Sequence, residues 1–423
     1  MAEPRHVVVI GAGIVGAASA VELLRDGHRV TILEPGAPGG EQAASYGNGT
    51  LLNPASVLPV SMPGLWRKVP GYVIDPMGPL TIRWRYLAKL APWLVRFVRA
   101  GATVARVEAT ARAMRPLLAD APARHRRLAE EAGVGELIQR RGLLYPYLDR
   151  AAFEADGLAW RLRRENGIAW QELDEGALRQ QEPALHRRYT FAAFVPDAGN
   201  VVDPGAYVAG LAAHAVGQGA RHVRGRATGF RIGGGRLRAV VTEEGELGCD
   251  AAVIAAGARS RGLAAMVGDR VSLETERGYH VVLEAPGVEL RHPILTSDTK
   301  VAVVMTRAGL RVAGTVELAG LDAAPSWERA RRLREVMART IPGVGRDLPE
   351  ERFKVWMGNR PSTPDGVPVI GRASGCADVV HAFGHGHVGL VGGAMTGRLV
   401  ADLVSGESPT IDIGPFSPQR FHR

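Results

Sequence analysis

Cysteine is almost missing: Cys249 and Cys376 are the only two among 423 residues. They form neither a CxxC pair nor a metal-ligand spacing, which excludes a disulfide framework and a cysteine-built metal centre. A reducing compartment fits best. Lysine is scarce too, present only at Lys68, Lys89, Lys300 and Lys354, so 48 of the 52 basic residues are arginine. The formal charge of +9 therefore reflects a compositional bias. The arginines are spread along the chain rather than massed, which argues against a nucleic-acid partner. Long apolar runs are absent as well. Val7–Val21 is interrupted by three glycines, falls short of the roughly 18 residues of a membrane span, and has no small-residue cleavage site after it. The uncharged run Gln42–Leu65 is broken by Asn48, Asn53, Pro54, Pro59 and Pro63. A cytoplasmic protein is the expectation.

Glycine is plentiful, at 53 residues, and implies tight turns and close backbone approaches. A chain of 423 residues exceeds one core and suggests two domains. Val7–Ile10 reads as a buried parallel strand, followed by a helix over 14–25 and a second strand over 29–34. Residues 36–66 read as an extended loop crossing a site. Residues 83–164 are mostly helical, interrupted by a strand near 142–145. A helix over 204–218 and a strand at 251–255 restore α/β character. Residues 270–315 alternate like antiparallel strands, at 279–283, 302–305 and 311–313. A helix over 327–339, a strand at 379–382 and a helix over 388–404 complete the chain.

Chemistry enters with Gly11-Ala12-Gly13-Ile14-Val15-Gly16. Gly11 permits the turn after the strand, Gly13 lets the backbone approach a pyrophosphate, and Gly16 lets the helix pack on the strand. The helix N-terminus offers free N–H groups and positive polarity to phosphate. Glu34 ends the second strand, where an acidic residue bonds ribose hydroxyls and repels a 2′-phosphate. A second segment, Val253-Ile254-Ala255-Ala256-Gly257-Ala258, ends a strand in small residues. Together with the fingerprint it points to FAD rather than NAD.

Two further segments are Trp356-Met357-Gly358-Asn359-Arg360-Pro361-Ser362-Thr363-Pro364-Asp365-Gly366-Val367-Pro368-Val369-Ile370-Gly371 and Gly384-His385-Gly386-His387-Val388-Gly389. With them the chain resembles the D-amino-acid oxidase superfamily of flavoproteins, most closely the D-amino-acid dehydrogenases, from Val7 to Gly406. Glycine oxidase, sarcosine oxidase and D-hydroxyproline dehydrogenases are nearby relatives of that group. The resemblance implies an α/β fold: a Rossmann-type FAD-binding domain plus an α+β substrate domain with an antiparallel sheet. The expected division is 1–60, 198–265 and 355–410 for FAD, 61–197 and 266–354 for substrate, and 411–423 as a tail. The resemblance further implies FAD contacts from Gly11, Gly13, Ile14, Val15, Gly16, Glu34, Ser45, Asn48, Gly49, Val223, Ala256, Gly257, Gly358, Gly384, His385, Gly386, His387, Val388 and Gly389. Trp356–Thr363 contains no cysteine, the residue by which sarcosine oxidases attach flavin, so FAD is expected to be non-covalent.

The activity implied is oxidative deamination of D-amino acids to 2-oxo acids and ammonia, by hydride transfer from Cα to flavin N5. The electron acceptor is oxygen or a quinone. Arg307 is the expected carboxylate anchor by position, with Arg360 and Arg311 as alternatives, since guanidinium grips carboxylate bidentately. Tyr279, His280 and His387 complete the expected catalytic set. Tyr279 and His280 alternate faces on a strand, so only one should reach the cavity. Rival readings are a secondary or simple amino acid as substrate (D-hydroxyproline, D-proline, sarcosine or glycine) and a subunit of a heteromeric flavoprotein complex. A third is peripheral binding to the inner face of the membrane. The last would use the amphipathic stretch Arg83–Arg99, although packing on the substrate domain is the preferred role for it.

Overall fold

The computed structural model describes residues 3–65, 80–346 and 348–422. Two large sheets organise it. In the first, strands Arg221–Arg224, Arg29–Glu34, His6–Ile10, Ala251–Ile254 and Val379–Phe383 run parallel in that spatial order. Val369–Arg372 adds an antiparallel edge. Both faces are covered, which is why the first strand reads as an unbroken β-branched run. Val7 and Val9 enter one core with the helices, while Val8 and Ile10 enter another. That second core is shared with residues of the small antiparallel sheet built from Ala227–Gly233, Arg236–Thr242 and Gly245–Gly248.

The first helix, Ile14–Arg25, lies against the last, Gly389–Ser405. Their approach is set by glycine. A Cβ on Gly393 would come within 2.8 Å of Ile14 Cγ1, and one on Gly397 within 2.7 Å of the Ala18 carbonyl carbon. The glycines of the last helix therefore serve a helix–helix crossing, despite a cost of roughly 1 kcal/mol each against alanine. Residues Gly386–Ser405 are long and apolar enough to span a membrane, but 78% of that window is buried inside the protein.

Among the described residues the second sheet has nine strands, paired antiparallel except Ile294–Leu295 with Leu143–Tyr147 and Gly309–Leu318 with Leu80–Ile82, which run parallel. Three adjacent strands matter for the site: Phe353–Ser362, Glu274–Leu283 and Gly309–Leu318. Tyr279, Val281 and Leu283 point to a core shared with the helix Trp327–Thr340. The alternate residues, Glu276, Gly278 and His280, therefore point to the opposite face.

Three expected boundaries shift. Helices Val104–Leu118 and Ala121–Glu131 contribute Ala111, Met114, Leu117 and Leu128 to the core of the first sheet, so part of 61–197 belongs to the dinucleotide side. The strand Phe353–Ser362 belongs wholly to the second sheet, so the break expected at 355 falls inside a strand. Of the expected 411–423 tail, the described residues 411–422 dock on the same side through fully buried Phe416. Helix Leu87–Ala100 buries Leu90 and Trp93 with Leu318, and Trp93 Nε1 donates to the Ser362 carbonyl at 3.2 Å.

Candidate active site

A cavity of about 760 Å³ runs from the first sheet to the second, within the range of about 300–1,000 Å³ typical of cofactor sites. At one end, Gly11 turns with φ +106°, and a Cβ there would sit 2.5 Å from the Ala255 carbonyl oxygen. A Cβ on Gly16 would overlap the Gly11 carbonyl, so this glycine closes helix onto strand and lies behind the cavity. Gly13 has ordinary backbone angles and faces only Ser45 Oγ at 3.3 Å, leaving its approach open. Helix Ile14–Arg25 has no side-chain cap from its N-cap residue and no acid in its first turn. Glu34 lines the cavity, accepting from the Ala12 N–H at 2.8 Å and the Gly36 N–H at 3.2 Å. Open glycine backbone, a helix end whose Ile14 N–H meets only the Ser45 hydroxyl at 3.0 Å, and a carboxylate fixed beyond it suit the pyrophosphate and ribose of a dinucleotide.

At the other end, the helix Gly389–Ser405 presents a second N-terminus without a capping side chain, and Gly389 and Leu390 line the cavity. Such an end favours negative charge. His385 also lines the cavity, is buried, and bonds Thr396 Oγ1 at 2.9 Å through Nε2. Burial pushes its pKa down to about 3, so it is neutral.

The floor is the second sheet. Gly278 and Gly358 are directly opposed on neighbouring strands. A Cβ on Gly278 would overlap the Arg360 guanidinium, and one on Gly358 would overlap the Trp356 indole. Both larger side chains thus lie flat over glycine, and both line the cavity. Arg360 Nη1 donates to the Thr315 carbonyl at 3.0 Å, and burial lowers its pKa from the ordinary value. Trp356 donates from Nε1 to the Glu41 carbonyl at 3.0 Å and stacks on His280 at 5.1 Å. Leu321, on the loop after Gly309–Leu318, also lines the cavity.

Of the expected FAD contacts, Gly11, Gly13, Ile14, Val15, Glu34, Ser45, Asn48, Ala256, Gly257, Gly358, His385, Gly386 and Gly389 line the cavity. Val223 does not: it sits in the edge strand in register with Leu33, and the lining begins two residues later at Gly225. Gly49 faces Ala302, and Gly384 is a φ +83° turn against Thr363. His387 and Val388 line a separate small pocket behind the cavity.

The catalytic set changes more. Arg307 is not in the cavity lining. It lies on the turn between Ala302–Thr306 and Gly309–Leu318 and pairs with Glu136 at 2.8 Å, the two side chains 51% and 60% exposed. Tyr279 points away, donating to Glu317 Oε2 at 2.6 Å and accepting from the Ser326 N–H at 2.9 Å. His280 is on the cavity side of the sheet but behind Trp356, where its Nδ1 bonds the Gly47 carbonyl at 3.1 Å. Burial, aided by Arg311, holds its pKa near 3. Arg311 is itself buried and engaged with the Tyr46 and Asn48 carbonyls at 3.3 and 3.1 Å. Arg360 is the expected arginine that reaches the cavity. Trp356, Asn359 and Leu321 also line it and were not foreseen as site residues. Glu276 was not foreseen either. Gly278, diagonal to Arg360 across the strand pair, was the signal for Arg360, readable only once strand register is known; Gly358, two residues after Trp356 on its own strand, was the signal for Trp356.

An N-terminal dinucleotide cradle facing a charged antiparallel floor defines a two-domain, dinucleotide-dependent oxidoreductase. Residues 6–403 match the family model described as FAD dependent oxidoreductase, and the chain belongs to that family. It is 58% identical over 421 residues to a D-amino-acid oxidase of Bradyrhizobium diazoefficiens, covering 100% of both chains. It is 31% identical to a D-amino acid dehydrogenase of Paramagnetospirillum magneticum, covering 98% of each. Among solved structures it resembles glycine oxidase from Geobacillus kaustophilus, with TM-score 0.73, 25% identity and 99% of each chain covered. L-Proline dehydrogenase from P. horikoshii shares the fold, with TM-score 0.75 at 19% identity, over 100% of this chain and 99% of the other.

Proposed function

We propose that this chain oxidises D-amino acids to 2-oxo acids and ammonia, with Arg360 holding the substrate carboxylate. Bound FAD supplies the two-electron acceptor for the Cα–H. The observation that carries the reading is a half-buried guanidinium, laid over Gly278 and open to the cavity with one of its donors committed to Thr315. Its remaining N–H groups offer the fork that a carboxylate accepts. Trp356 and Leu321 bound the cavity beside it and exclude water around the substrate. The uncapped helix N-terminus at Gly389 stabilises negative charge accumulating at that end. Positioning is the main contribution of these side chains. The preference for D-amino acids is supported by the 58% and 31% identical relatives. The FAD contacts proposed are those expected residues that line the cavity.

The acceptor we favour is oxygen, because the 58% identical relative is named an oxidase. The enzyme is proposed to be cytoplasmic. Helix Leu87–Ala100 spends Leu90 and Trp93 on the protein itself, which supports its packing role over membrane attachment. A panel of D- and L-amino acids, with glycine, sarcosine and D-proline included, tests the substrate. Running it with a dye acceptor, in air and without oxygen, tests the acceptor. Turnover confined to L-amino acids or to secondary amines would overturn the reading.

A further inference from the structure

Glu276 and Arg360 are directly opposed on neighbouring antiparallel strands, a position from which opposite charges ordinarily pair. Glu276 is buried and Arg360 half-buried, where attraction is stronger than in open water. Yet no ion pair between them occurs among the described residues. Each is held elsewhere. His387 Nε2 donates to Glu276 Oε2 at 2.5 Å. Arg360 turns away over Gly278 to the Thr315 carbonyl at 3.0 Å. Glu276 and His387 line the small pocket behind the cavity, whereas Arg360 lines the cavity itself. Two residues thus separate a charge pair that the sheet register would otherwise form.

We propose that His387 and Gly278 are positioning residues that keep Arg360 unpaired for the substrate carboxylate: His387 occupies Glu276, and Gly278 gives the guanidinium room to turn away from it. This inference rests on Arg360 being the carboxylate anchor. The free carboxylate of Glu276 is the competitor. Without His387, Glu276 captures Arg360, and the substrate has to break that pair before it binds. With a Cβ at Gly278, the guanidinium is displaced from its resting place toward the same partner. Burial opposes the charge on Glu276, but His387 and Arg360 outweigh it and hold the carboxyl below its ordinary pKa, so the competitor is an anion.

The test is a cycle of variants measured as FAD-loaded enzyme. His387→Leu raises KM for a D-amino acid roughly tenfold, with kcat little changed, since uniform binding is what is lost. The dissociation constant of benzoate, read from flavin absorbance, rises in parallel. Adding Glu276→Gln to His387→Leu restores both values, because the competing charge is gone. Gly278→Ala produces the same KM-selective defect with the same rescue, and serves if His387→Leu does not fold. Unchanged KM in both His387→Leu and Gly278→Ala overturns the proposal, as does a defect that Glu276→Gln does not relieve. Arg360→Ala separates the two levels. If it leaves KM unchanged, the anchor reading falls. If it raises KM while the other variants do not, only this inference falls.

Discussion

Arg360→Ala is the substitution with the largest expected consequence for turnover. The guanidinium is half-buried, gives one hydrogen bond to the Thr315 carbonyl, and lines the cavity. Removing one partner of a desolvated charge pair costs several kcal/mol; about 3 kcal/mol corresponds to roughly 150-fold in kcat/KM. Arg360→Lys recovers only part of this, because an ammonium cannot reproduce a two-pronged contact. Arg307→Ala is the matched control. Its pair with Glu136 is half exposed, and such a pair is worth about 0–1 kcal/mol of stability, so kcat/KM stays at the wild-type value. The assay is steady-state kinetics with a D-amino acid against the corresponding amine that lacks the carboxylate. FAD content is measured alongside. The wild type discriminates strongly between the two compounds, and Arg360→Ala loses that discrimination while retaining flavin. Full discrimination in Arg360→Ala, or its loss in Arg307→Ala, would refute the placement of the anchor.

Gly13→Val leaves the chain folded but without flavin, seen as an unchanged far-ultraviolet spectrum with no 450-nm band, since only Ser45 Oγ stands near the new Cβ and the bulk fills the cradle. Denaturation of the holoenzyme releases intact FAD into the supernatant, because Cys249 and Cys376 are both buried and absent from the cavity lining; flavin retained on the polypeptide would contradict this. Asp269 is buried, which opposes its charge, but hydrogen bonds from His381 and Ser374 outweigh this and hold its pKa at about 2. A depressed carboxylate pKa gives stability that is complete above the unfolded value near 4 and lost as pH falls toward 2. Asp269→Asn therefore lowers Tm at pH 7, and its deficit against wild type shrinks between pH 4 and pH 2; a deficit that is constant with pH would count against the assignment.

The parts of the molecule governed by neighbours in sequence were legible in advance. Gly11, Gly13, Gly16 and Glu34 act within one strand–helix–strand unit, and the structure gives the first helix as Ile14–Arg25, the span read from the sequence. The floor of the cavity was less legible because it depends on register. Arg360 owes its position to Gly278 on a strand remote in the chain, and Trp356, which lies over Gly358 of its own strand, is fixed by the remote Glu41 carbonyl and His280. Arg307 was chosen by its place along a strand, but the turn after Thr306 carries it outward to Glu136. The alternation of Tyr279 and His280 was readable, and the structure sets them on opposite faces. That Trp356 would cover His280 was not readable. Helices Val104–Leu118 and Ala121–Glu131 lie in the middle of the presumed substrate segment, and nothing local marks them as belonging to the dinucleotide core.

The most direct test of the central claim is anaerobic mixing of the FAD-loaded enzyme with single enantiomers. Absorbance at 450 nm reports the bound flavin, and the acceptor question is removed by excluding oxygen. The account predicts complete bleaching by a D-amino acid, with one 2-oxo acid and one ammonia formed per flavin, and no bleaching by its L-enantiomer. Equal bleaching by both enantiomers, or none by any D-amino acid, would contradict it.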